Sequence, residues 1–192
     1  MSTPVTNILL TGVGGQGILL ASEILAEACM HAGFDVKKSE IHGMSQRGGS
    51  VVSHVRFGTE VFSPVVPEGE GDILFGFELL ETYRFINLLR PGAKVIANDF
   101  RIQPPSVLLG QERYPDDLPE KIAARFNDFT LIDGLKIATE TGNPRVANTV
   151  LLGAVSRHLQ IEVSVWQQAV AKMVPAKALE LNLRAFQAGR TL

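Results

Sequence analysis

NILLTGVGGQGILLASEILAEACMHAG, residues 7–33, reads as strand, glycine turn and helix in immediate succession. Asn7 to Leu10 is a short apolar run suited to a buried strand. Thr11-Gly12-Val13-Gly14-Gly15-Gln16-Gly17 turns the chain, and Ile18 to Ala32 follows as a helix. Glu23, Glu27 and His31 recur at helical spacing and make one polar stripe. The other faces carry Leu20, Ile24, Leu25, Ala28 and Cys29, as a helix packed on a sheet requires. Gly33 stands just past the end, where a helix stop commonly needs glycine.

The same alternation runs outward from this unit. Phe34 to Lys38 suits a second strand, and Ser50 to Phe57 a third with Val51, Ser53, Val55 and Phe57 on one face. Ser39 to Gly49, polar and glycine-rich, reads as an exposed loop between them. Asp72 to Phe77 is a further strand, with a helix from Glu78 to about Leu89 that Pro91-Gly92 ends. Lys94 to Ala97 and Thr130 to Ile132 are strands. Pro104-Pro105 and Tyr114 to Pro119 bracket a loop-rich insertion. Val146 to Leu159 is a helix apolar nearly all round, with Gly153 in its middle. Such a helix is core or interface, and the glycine implies close packing there. Ser164 to Val174 and Ala176 to Ala188 are two last helices, split by Pro175. Strands alternating with helices predict an α/β fold. We expect a three-layer α/β/α sandwich with a mostly parallel, Rossmann-like sheet and a helical C-terminal arm. Residues 1–160 would form the main domain, and 161–192 a C-terminal helical extension of it.

Two segments carry candidate chemistry. Gly12-Val13-Gly14-Gly15-Gln16-Gly17 matches G-x-G-x-x-G between a strand and a helix, where unpaired helix N–H groups favour a phosphate. An acidic residue for a ribose should lie about 20 residues on, at the end of the second strand. Lys37 and Lys38 stand there instead, with Glu40 beyond, which weakens a nicotinamide reading. The motif alone leaves three possibilities open: a tight turn that binds nothing, a site for a partner's phosphate-bearing ligand, or a dinucleotide site. The second segment is the loop Ser39 to Ser50. Its Ser45, Gln46, Arg47 and Gly48 form a polar, glycine-flanked cluster in which Arg47 could clamp a phosphate or carboxylate. His42 could move a proton, although a lone histidine in a loop is more often simply solvated.

Composition narrows the class. The chain has 192 residues, 45% hydrophobic and 20% charged, with a net charge of -2. A chain of this size buries roughly 70% of its unfolded surface and needs no staples. The basic residues are scattered, so neither nucleic acid nor an anionic membrane is an implied partner. No apolar run approaches the roughly 20 residues of a membrane span, and a cytoplasmic location is the default. The single cysteine, Cys29, excludes an internal disulfide and cannot ligate an iron–sulfur cluster by itself. Its setting favours a buried hydrophobe over a reactive thiol. No metal-ligand spacing, nucleophile turn or Walker A sequence is present. No catalytic or metal residue is therefore assigned.

Taken together, TGVGGQGILLASEILAEA (11–28), KKSEIHGMSQRGGSVVSHVRFG (37–58) and ANTVLLGAV (147–155) resemble the gamma-type domain of the 2-oxoacid:ferredoxin oxidoreductases. The middle stretch looks most like the indolepyruvate branch. The resemblance runs from Asn7 to about Leu159. It implies a small subunit, inactive alone, with no cofactor of its own. A large subunit would carry thiamine diphosphate and the iron–sulfur clusters, with two large and two small chains assembling. The complex would pass electrons to ferredoxin and the acyl group to coenzyme A. The implied ligand-facing residues are Gly12, Gly14, Gly15, Gln16, Gly17, Ser45, Gln46, Arg47 and Gly48. Another 2-oxoacid, such as pyruvate or 2-oxoglutarate, is the nearest alternative. An adenylating enzyme shares the glycine turn but usually adds a catalytic cysteine and often a zinc-binding cysteine set. A free-standing nicotinamide reductase or a purely scaffolding subunit are the remaining options.

Overall fold

Six strands form one sheet in the order β2-β3-β1-β4-β5-β6. They span Thr6–Val13 (β1), Asp35–His42 (β2), Ser50–Gly58 (β3), Gly71–Gly76 (β4), Leu89–Asn98 (β5) and Phe129–Ile132 (β6). This computed structural model describes residues 5–43 and 49–192. The helices are α1 (Ile18–His31), α2 (Leu79–Phe85), α3 (Pro105–Leu108), α4 (Leu118–Arg125), α5 (Gly134–Thr141), α6 (Ala147–Ser156), α7 (Val163–Met173) and α8 (Ala176–Arg190). Strands β1, β4, β5 and β6 pair in parallel, and β3 runs antiparallel to both β1 and β2. The sheet is thus a parallel α/β unit with a hairpin on one side.

Both faces of the sheet are covered, which makes three layers. Ile8, Leu10, Val55, Phe75 and Ile96 pack under α1, α6, α7 and α8, where Trp166 and Phe186 are fully buried. Leu9, Val52, Leu74 and Val95 face the other way, against Ile86, Ile122 and Phe126. The alternation of Leu9 and Leu10 between faces is the two-residue period of a strand buried on both sides. The C-terminal helices are core elements: α7 packs on α1 and α8 on α6.

Several elements differ from the sequence reading. Ser39 to His42 is not loop but the end of β2, because it pairs with β3 from Ser39↔His54 to His42↔Val51. Cross-strand pairing outweighs the weak strand preference of its polar residues. The helix after β4 is shorter than expected. Glu78 caps it by accepting from the Glu81 amide at 2.8 Å, it tightens into a 3-10 turn at Ile86–Leu88, and Leu89 already belongs to β5. Pro91 and Gly92 lie within β5, where its register against β4 shifts between Gly71 and Ile73. Helix α6 is preceded by a 3-10 turn at Pro144–Val146 and ends at Ser156. Its residues Thr149 to Ser156 are all buried within this chain, so its apolar circumference is explained as core and needs no partner. Helices α4 and α5, absent from the sequence reading, are each eight residues long.

Candidate functional site

The glycine turn joins β1 to α1 at the carboxyl edge of the sheet, at the point where the chain order reverses between β1 and β4. Open α/β sheets offer their ligand crevice there. The turn holds itself with the Gln16 side chain. Its Oε1 accepts from the Val13 amide at 2.7 Å, and its Nε2 donates to the Phe77 carbonyl at 3.1 Å. Gln16, one of the proposed ligand-facing residues, thus has its side chain committed to the fold. Gly12 is likewise structural, because a Cβ there would come within 2.6 Å of Gln16 Oε1 and 2.9 Å of Phe77 Cβ.

Gly15 and Gly17 differ from Gly12. Both have positive φ, 101° and 81°. A Cβ on Gly15 would meet nothing within 4 Å, so this corner of the turn faces open space. The Gly14 amide donates to the Gly49 carbonyl at 2.9 Å. The amides of Gly15 and Gly17 have no acceptor among the described residues. Helix α1 has neither a side-chain cap nor an acidic residue in its first turn. Its positive end is left available to an anion.

A cavity of about 450 Å³ opens in front of this turn. Its polar lining is Gly15, Gln16, Gly17, Asn98, Arg145 and Asn148, and its apolar lining includes Phe77, Phe100 and Leu135. Asn98 is spent on structure: Oδ1 accepts from the Gly134 amide at 2.9 Å and Nδ2 donates to the Phe77 carbonyl. Arg145 is exposed and has no ion-pair partner among the described residues. It sits in the 3-10 turn that Asn143 caps by accepting from the Arg145 amide at 3.0 Å. Asn148 Nδ2 stands 2.6 Å from where a Cβ on Gly17 would be. Gly15 and Gly17 of the turn, an amide side chain and a guanidinium therefore line one cleft, a donor set suited to a phosphate or carboxylate. Sequence reasoning missed Arg145 and Asn148. Asn143-Pro144-Arg145, a capping residue followed by proline at a helix start, was the available signal.

A second hollow, of about 440 Å³, lies on the other side of the turn between Gly14, Leu19, Glu40, His42 and Val51. There His42 Nε2 is 2.6 Å from Glu40 Oε1, with its side chain 60% exposed. Lys38 binds Ser22 Oγ at 3.1 Å and ties β2 to α1. Ser45, Gln46, Arg47 and Gly48 lie outside the described residues. The residues that flank them are placed. The Gly43 amide donates to the Ser50 carbonyl at 2.8 Å, and Gly49 bonds to Gly14. Gly49, which follows that segment, is thus held beside the glycine turn. Strand β3, not β2, is the neighbour of β1. The end of β2 is therefore one strand removed from the place where a dinucleotide fold holds its ribose-binding carboxylate.

Cys29 is fully buried on the inner face of α1, and burial pushes its thiol up to about 12. That is the hydrophobe expected from the sequence, and its chemistry does not suit a cluster ligand. His54 is also buried. Its Nδ1 accepts from the Val66 amide at 3.2 Å, and burial, aided by Arg56, lowers its pKa. No group of three or more His, Cys, Asp or Glu side chains gathers as a metal site among the described residues. Nor is any described helix long and apolar enough to cross a membrane.

The fold is an α/β domain with a phosphate-suited glycine turn at the switch point of its sheet. The chain belongs to the pyruvate ferredoxin/flavodoxin oxidoreductase family, whose model matches residues 7–192. It is 42% identical over 188 residues to the indolepyruvate oxidoreductase subunit IorB of Thermococcus kodakarensis, covering 95% of this chain and 93% of that protein. It is 40% identical to the corresponding subunit of Pyrococcus horikoshii, with the same coverage. Among solved structures, the gamma subunit of a keto/oxoacid ferredoxin oxidoreductase from Geobacter sulfurreducens superposes with a TM-score of 0.69 at 27% identity. That match covers 96% of this chain and 95% of that one. This chain is, accordingly, a small subunit of a 2-oxoacid:ferredoxin oxidoreductase, a class that implies a larger partner subunit and cofactors on the assembled enzyme.

Proposed function

We propose that this chain is the small subunit of an indolepyruvate:ferredoxin oxidoreductase and that it holds the phosphate end of coenzyme A beside the partner's active site. In this reading the larger partner carries thiamine diphosphate and the iron–sulfur clusters. The assembled enzyme decarboxylates indolepyruvate, transfers the acyl group to coenzyme A and passes the electrons to ferredoxin. The relatives at 42% and 40% identity carry indolepyruvate in their names, which favours this 2-oxoacid over pyruvate or 2-oxoglutarate. The residues of this chain do not fit an iron–sulfur cluster: its single cysteine is a buried thiol held protonated, and a cluster needs several thiolates.

The observation that carries the coenzyme A role is that Gly15, Gly17, Asn148 and Arg145 together line one 450 Å³ cleft. A phosphate there would receive charge-assisted hydrogen bonds at the positive end of α1. The apolar lining from Phe77, Phe100 and Leu135 could seat the less polar part of the same ligand. Arg47, from the segment flanked by Gly43 and Gly49, would add a second guanidinium. This chain's residues bind and orient, and perform no bond cleavage.

The test is reconstitution with the large subunit. The mixture should reduce ferredoxin or a viologen dye only with an arylpyruvate and coenzyme A both present, and the free chain should be colourless and inactive. Arg145→Ala and Arg47→Ala should raise the KM for coenzyme A roughly tenfold or more each, since a hydrogen bond to a charged group is worth about 1.5–3 kcal/mol. Turnover of an arylpyruvate by this chain free of its partner would overturn the subunit role. An unchanged KM in both arginine variants would overturn the coenzyme A role.

A further inference from the structure

Glu81 is a carboxylate that its own helix does not explain. It lies on α2 and is 5% exposed. Capping is already done by Glu78, whose Oε2 accepts the Glu81 amide. The Glu81 side chain reaches across to β3 instead, where its Oε2 accepts from Ser50 Oγ at 2.5 Å. Its Oε1 is 3.2 Å from Arg84 Nη1. Burial raises its pKa, and Glu78 acts in the same direction, while Ser50 and Arg84 oppose. A buried carboxylate is costly to keep, so its one long-range bond must be worth that cost to the fold or to the site.

Ser50 is where that bond acts. It opens β3 opposite Val13, the last residue of β1. Its carbonyl accepts from Gly43, and the carbonyl just before it, on Gly49, takes up the Gly14 amide. With Gly14 turned toward Gly49, the amides of the turn left without an acceptor among the described residues are those of Gly15 and Gly17, two residues that line the cleft. A shift of Ser50 moves Gly49, and with it the peptide that orients the turn.

We propose that Glu81 is a positioning residue for the coenzyme A cleft, acting through Ser50 and Gly49 to fix the glycine turn. This deepens the preceding reading and rests on it. Glu81 touches no substrate. Its bond to Ser50 ties the start of β3 to α2.

Steady-state kinetics of the assembled enzyme with coenzyme A as the varied substrate tests it. Ser50→Ala and Glu81→Ala should each raise the KM about fivefold with kcat within about twofold, the signature of lost binding without lost chemistry. Glu81→Gln keeps an acceptor for Ser50 and should stay within about twofold of the parent. The double variant Ser50→Ala/Glu81→Ala should be no worse than the worse single one, because both remove one bond. Should Glu81→Ala fail to assemble, Ser50→Ala and Glu81→Gln decide the matter. If Arg145→Ala raises the KM while Ser50→Ala leaves it unchanged, Glu81 does not position the cleft and the cleft itself stands. If Arg145→Ala also leaves it unchanged, the coenzyme A reading falls and this one with it. Additive effects in the double variant, or damage from Glu81→Gln equal to that from Glu81→Ala, would exclude the Ser50 route.

Discussion

Gly153 of α6 and Gly189 of α8 lie at the line where the two helix backbones touch. A Cβ on Gly153 would stand 2.1 Å from the Phe186 carbonyl oxygen and 3.1 Å from Gly189 Cα. One on Gly189 would stand 1.8 Å from the Val150 carbonyl oxygen. The obstacles are backbone atoms, which cannot step aside as a side-chain tip can. This contact sets α8 on α6 and brings Phe186 within 5.9 Å, centroid to centroid, of Trp166. Gly153→Ala should therefore destabilise the protein by about 3 kcal/mol, the upper end for overpacking, and Gly153→Leu by more. Denaturant unfolding checks this. A Gly153→Ala protein within about 0.5 kcal/mol of the parent would mean that the helices separate at little cost.

Gly153 also marks what the sequence could and could not convey. A glycine in a wholly apolar helix announces a close approach, because nothing else repays its cost. The partner was hidden, since Gly189 gives no local sign of meeting it. The β1–turn–α1 unit was legible because hydrophobic period and glycine placement agree across residues 7–33. The end of β2 was not. Ser39 and Glu40 are poor strand formers, and only the ladder to His54 and Ser53 makes them strand. Helices α4 and α5 escaped notice because each buries only two residues, Leu118 and Ile122 in one and Gly134 and Ala138 in the other. That is too little for a visible helical period. At the site, the glycines were readable as a motif. Arg145 and Asn148 were not, because the fold alone carries them to the turn.

The glycines of the turn should separate by role. Gly12→Ala places a methyl against Gln16 and Phe77, and should cost stability and assembly. Gly15→Ala meets no atom, so its penalty is the backbone strain of a positive φ, about 1 kcal/mol. Gly15→Val narrows the cleft besides, and should raise the KM for coenzyme A while the enzyme still assembles. Thermal unfolding and the kinetics of the assembled enzyme, run on the same preparations, check the split. If Gly12→Ala is the milder of Gly12→Ala and Gly15→Ala in stability, the packing account of the turn is wrong.

Cys29 should be inert in the folded protein. With its thiol pushed up to about 12 and fully buried, almost no thiolate exists near neutral pH. A thiol reagent at pH 8 should label it only as the protein unfolds, at a rate that follows denaturant. Stoichiometric labelling within minutes under native conditions would show that α1 opens far more readily than its packing implies.

Glu81 gives the pH dependence. Its ordinary value is 4.5, and burial is the largest influence raising it in the fold. The folded state then holds the proton more tightly than the unfolded chain. The contribution to stability is complete below 4.5 and is lost as pH rises through the higher folded value. Once that proton is lost, the parent protein carries a buried charge that Glu81→Gln lacks. The glutamine variant should match the parent near pH 4 and become progressively more stable than it toward pH 8. Glu27 acts in the opposite sense: its bond to Lys172 at 2.5 Å lowers its pKa, so its contribution is lost on acidification. It is common to both proteins and cancels in the difference. Melting temperatures of the pair between pH 4 and pH 8 provide the comparison. A difference that stays flat, or that grows toward acid, would show that Ser50 and Arg84 already compensate the buried carboxylate, and that it is retained at no expense to stability.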